Sequence, residues 1–78
     1  MFTVFGFYKF KKINDLKKNQ KILSNLLTNK NINGSIIISK EGLNGSISGM
    51  NKDIKTTIIR LKKILNIKEF DSVNNSIS

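Results

Sequence analysis

Segments of strand and helix character follow one another in the order strand, helix, strand, strand, helix, strand along a chain of 78 residues. That order predicts an α+β, ferredoxin-like fold, an antiparallel sheet with two helices on one face. Three observations carry the expectation. Phe2 to Phe10 is aromatic and β-branched on both alternating faces, as a central strand requires. Two windows, opening near Ile13 and Asn51, repeat apolar residues at helical spacing among lysines. Ile36-Ile37-Ile38 stands between turn signals, and three adjacent stiff side chains suit a short buried strand better than a helix.

In order, the first strand divides into Phe5, Phe7 and Lys9 on one side and Val4, Gly6, Tyr8 and Phe10 on the other. A helix then starts at Asn14 or Asp15, either of which can cap it, with Leu16, Leu23, Leu26 and Leu27 on one side and its end near Asn29. Gly34 in Asn31-Ile32-Asn33-Gly34 is expected to take the left-handed conformation that stops it. A strand over Ser35 to Ser39 leads into a loop, Glu41 to Gly45, and a short return strand, Ser46 to Ser48. Asn51 caps the second helix, whose stripe is Ile54, Ile58, Leu61 and Leu65, widened by Ile59 and Ile64. Ile67 to Val73 reads as an edge strand. Residues 1–73 thus form one domain, and 74–78 a frayed tail.

Fourteen Lys plus Arg against five Asp plus Glu give a net charge of +9, which attracts polyanions such as RNA. Arg60 is the one arginine, and the surplus of Lys, Ile and Asn is also what an AT-rich genome would produce, leaving a generic solvated surface as the plain alternative. No run of apolar residues is long enough for a membrane span and no signal peptide opens the chain. A cytoplasmic protein without membrane partner is the expectation.

The chain lacks His and Cys, so Ser-His or Cys-His nucleophiles and metal sites built on those ligands are excluded here. Acylphosphatases share the element order but carry an arginine in a phosphate-cradling loop after the first strand. Phe10-Lys11-Lys12-Ile13-Asn14 has neither arginine nor glycine there, which argues against that hydrolysis. An RNA-recognition motif stacks bases on aromatics of its central strands, and Ser46-Ile47-Ser48-Gly49-Met50 offers none.

Phe7-Tyr8-Lys9-Phe10 and above all the block Ser35-Ile36-Ile37-Ile38-Ser39-Lys40-Glu41-Gly42-Leu43-Asn44-Gly45-Ser46-Ile47-Ser48-Gly49 resemble the N-terminal domain of the bacterial tRNA uridine hydroxylases that carry a rhodanese domain. The resemblance implies an acylphosphatase-like ferredoxin fold. For the whole enzyme it implies 5-hydroxylation of the wobble uridine, uridine 34, with molecular oxygen as co-substrate. The rhodanese domain and its cysteine lie further along in that family, so the expectation is a fragment or accessory domain, itself without catalytic residues, cofactor or metal; the alternative is a free-standing small protein.

On this reading Lys9, Lys11, Lys12 and Lys40, all at strand ends, are the candidates for tRNA phosphates. Glu41, Gly42, Asn44 and Gly45 would position the substrate or the rhodanese domain, and the open sheet face would dock that domain. Glu41 also reads simply as a solvated turn acid. The competing reading is a non-catalytic structural interaction module that never touches RNA.

Overall fold

Phe2–Phe10 forms a central strand because both of its edges find partner strands. The computed structural model describes residues 2–28 and 31–77. Its elements are β1 (Phe2–Phe10), α1 (Leu16–Thr28), β2 (Asn33–Ser39), β3 (Gly42–Met50), α2 (Asn51–Leu65) and β4 (Ser72–Ile77). The sheet runs β2-β3-β1-β4 with every pair antiparallel. This is the expected α+β, ferredoxin-like architecture.

Register assigns the faces, since residues paired across strands project to the same side. Phe5, Phe7, Leu43, Ile47 and Ile38 meet Leu23 and Leu26 of α1 and Ile54, Leu61 and Leu65 of α2 in one buried cluster. The loops close its ends. Ile13 and Ile67 are buried outside any element, and the Phe70 ring lies 4.8 Å from that of Phe7 and 6.0 Å from that of Phe5.

Several boundaries differ from expectation. Ile13 enters the core from the loop, α1 starts at Leu16, and Asn29, the expected end, lies outside the described residues. Gly34 has the expected positive φ, 116°, but inside β2 opposite Ile47 instead of at a helix stop, and Asn31, with φ of 52°, takes the left-handed conformation ahead of it. The segment from Gly42 is strand rather than loop: β3 spans nine residues and is hydrogen-bonded on both sides, so its glycines are absorbed by the sheet. Asn51 is already helical, and its side chain accepts a hydrogen bond from the Thr3 hydroxyl at 3.2 Å rather than capping α2. Ile59 is 65% exposed, and Thr57 takes the buried place beside Ile54 and Leu61.

At the C-terminal end the edge strand is β4, Ser72–Ile77, instead of Ile67 to Val73. The frayed tail expected over 74–78 is corrected through Ile77, because Asn74, Asn75, Ser76 and Ile77 pair with Gly6, Phe5, Val4 and Thr3; Ser78 lies outside the described residues. Short polar residues suggested fraying, but β1 supplies an open row of backbone partners that their own composition does not reveal.

Candidate nucleic-acid interface

Beyond Phe10 the chain leaves the sheet but stays beside the β2–β3 hairpin. The Lys11 N–H donates to the Glu41 carbonyl at 3.0 Å and the Ile13 N–H to the Lys40 carbonyl at 3.3 Å. With Ile13 anchored in the core, Lys12 is held next to Lys40. The chain then turns into α1 at Asp15, which has φ of 51°. Asn19 fastens that turn, its backbone N–H donating to the Asp15 carbonyl at 3.0 Å and its side-chain amide to the Asn14 carbonyl at 2.7 Å.

A cleft of about 720 Å³ results, lined by Lys12, Lys17, Lys18 and Lys40 around Ile13 and Leu16, with Asp15 its one acidic residue. These four lysines line the cleft beside the first turn of α1, whose unpaired N–H groups already carry partial positive charge. No acidic residue lies in that first turn. Such an arrangement repels itself and attracts a polyanion.

Of the four lysines named from sequence, Lys12 and Lys40 share this cleft. Lys11 faces an adjoining groove with Asn19, Leu65 and Asn66. Lys9 stands apart, its ammonium 3.4 Å from the Asp71 carboxylate. Asp71 also accepts from the Phe10 N–H at 2.7 Å, and that hydrogen bond, aided by Lys9, holds its carboxyl below the ordinary range. Lys17 and Lys18 were missed. The legible signal was two cations in the opening turn of a helix, where acids are the usual occupants.

The motif Glu41, Gly42, Asn44 and Gly45 divides in two. At Gly42, with φ of 153°, a Cβ would fall 2.1 Å from the Lys9 carbonyl oxygen. At Gly45 it would fall 2.7 Å from the Phe7 ring and 2.9 Å from the Ser35 carbonyl oxygen. Both glycines therefore serve sheet packing. Glu41 is exposed at the hairpin tip, and among the described residues its carboxylate has no hydrogen-bond or ion-pair partner. Asn44 is exposed on the open face between Tyr8 and Ile37.

That open face bears no charged side chain on any of its strands. Phe2, Val4, Tyr8 and Phe10 make a stripe along β1, with Tyr8 and Phe10 edge to face at 4.7 Å, and Ser and Asn flank it on β3 and β4. Phe10 and Ile37 are 64% and 63% exposed. Among the described residues no group of three or more His, Cys, Asp or Glu is placed to hold a metal ion. No described helix is long and apolar enough to cross a membrane, which leaves β-barrel spanning unaddressed.

Residues 2–78 match the UPF0176 acylphosphatase-like domain. The whole chain is 59% identical over 78 residues to the tRNA uridine(34) hydroxylase of Pelagibacter ubique (strain HTCC1062). It spans 26% of that relative's length.

Proposed function

The chain belongs to the family of UPF0176 acylphosphatase-like domains, the N-terminal domain of the tRNA uridine(34) hydroxylases, and on that premise we propose that it is the accessory, tRNA-holding part of such an enzyme. The cleft of Lys12, Lys17, Lys18 and Lys40 carries the proposal. It gathers cations where helix and hairpin meet, and ammonium groups bind phosphates without reading bases. Lys11 extends the same edge, while Lys9 is occupied by Asp71. The parent reaction is 5-hydroxylation of the wobble uridine in the cytoplasm, with molecular oxygen as co-substrate and the chemistry on the rhodanese part.

The test is tRNA binding by the chain across a salt series, beside a variant with Lys12, Lys17, Lys18 and Lys40 all changed to Glu and its fold checked by circular dichroism. The slope of log affinity against log salt should fall by roughly 3 to 4, about 0.9 for each phosphate contact removed. Equal affinity and slope for both chains would end the assignment.

A second reading rests on the uncharged open face with Phe2, Val4, Phe10, Ile37 and Met50 exposed. Such a face suits a protein neighbour, here the rhodanese domain. A folded chain that ignores tRNA, yet binds the separately produced remainder of its parent through this face, would make it a docking module alone.

A further inference from the structure

Both edges of the sheet lack the devices that normally guard an edge. β2 reads Asn33-Gly34-Ser35-Ile36-Ile37-Ile38-Ser39 and β4 Ser72-Val73-Asn74-Asn75-Ser76-Ile77. Neither holds a lysine, any other charge or a proline, although 24% of the chain is charged. Unguarded strands present half of their N–H and C=O groups outward, a template for one more strand. Among the described residues no other backbone hydrogen bond reaches the outer edge of β2.

The two edges differ in what lies beside them. Next to β2, on the helix side of the sheet, a groove of about 210 Å³ opens between strand and α1, lined by Gln20, Leu23, Ser24, Leu27, Ile36 and Ile38. A strand laid along β2 would drop every second side chain into it. Its lining sets Leu23, Leu27, Ile36 and Ile38 beside Gln20, Ser24 and Ser35, so aliphatic side chains find apolar partners there. Lys17 and Lys21 precede Gln20 and Ser24 by three positions, which places them along the solvent side of its rim. Lys40 follows the last residue of β2.

We propose that the β2 edge and this groove form a peptide-binding surface for an extended segment with apolar residues at alternate positions and acidic residues at its ends. Backbone hydrogen bonds to β2 supply the pairing, the groove selects the alternate side chains, and the lysine rim selects acidic flanks. A second copy of the chain is the wrong occupant: pairing two β2 edges would bring together two bodies of net charge +9.

The probe is a synthetic peptide of about ten residues with valine at alternate positions, serine between them and glutamates at both ends. Backbone amide NMR shifts of the chain are followed during its titration. Residues 34–38 and 20–27 should shift together. N-methylation of alternate peptide amides on the pairing side should weaken binding by about tenfold or more. Lys21→Glu with Ser24→Glu, both exposed and outside the Lys12 cleft, should reduce affinity for this peptide and raise it for a lysine-ended twin. The proposal falls if no amide shifts at millimolar peptide, if the N-methylated peptide binds equally, or if the shifts map to the open face. It falls too if the chain self-associates through β2, or if a short RNA moves the same amides in place of the peptide.

Discussion

Thr57 shows how one atom can be out of keeping with its surroundings. Its side chain is fully buried between Ile54 and Leu61, and its hydroxyl has no hydrogen-bond partner, whereas the exposed Thr56 hydroxyl donates to the Lys52 carbonyl at 3.0 Å. A buried hydroxyl without a partner costs about 1–3 kcal/mol. Thr57→Val keeps the shape and removes that cost, so chemical denaturation should show a gain of about 1 kcal/mol; a loss would mean the hydroxyl is satisfied after all. Asp71 is the opposite case, a polar group with two partners, the Phe10 N–H and Lys9. Its carboxyl is held below 3.8 in the folded chain, so it stabilises the fold above that pH and ceases to as pH falls through the folded value. Asp71→Asn should flatten the acid limb of a stability-against-pH curve and leave its neutral plateau lower. An unchanged acid limb would remove Asp71 from that role.

At the scale of the element, α1 sets helix stability against charge placement. Lys17 and Lys18 occupy the positive end of its dipole, where each cation costs about 0.3–1 kcal/mol. Replacing both with Glu should stabilise the folded chain, read by thermal melting, while weakening its hold on tRNA. Loss of stability instead would show that these side chains pack rather than wait for an anion. α2 is better matched to its dipole: Asp53 offsets Lys52 in its first turn, and Lys62 and Lys63 stand in its last. It ends at Asn66, with φ of 54°, whose N–H donates to the Lys62 and Lys63 carbonyls. The helical stripes were legible because apolar spacing survives in the sequence. Ile59 is exposed where the stripe was expected to widen, and Thr57 is buried, because which flank of a stripe is covered depends on how the helix is rolled against the sheet. The motif of Glu41, Gly42, Asn44 and Gly45 was legible as special but not as strand, since glycines that admit a ring or a carbonyl look like turn glycines until the neighbour is known.

Over the whole molecule, fourteen cations face five acids, and the described residues hold one ion pair, Lys9 with Asp71. Self-repulsion therefore outweighs attraction at low salt. Raising salt from about 0.05 to 0.5 M, which shortens screening to a few ångströms, should raise the melting temperature, and a fall would point to stabilising ion pairs instead. The amino-acid sequence by itself determined the element order, the two faces of β1, the glycine-marked hairpin and the net charge, because these depend on local spacing and composition. Only the tertiary structure decided that Lys12 and Lys40 join Lys17 and Lys18 in one cleft while Lys9 is drawn to Asp71, and that the polar C-terminal residues close the sheet as β4. Those outcomes hang on pairings between residues far apart in the chain, such as Lys9 with Asp71 and Val4 with Ser76, and no local pattern encodes which distant backbone or charge a segment will meet.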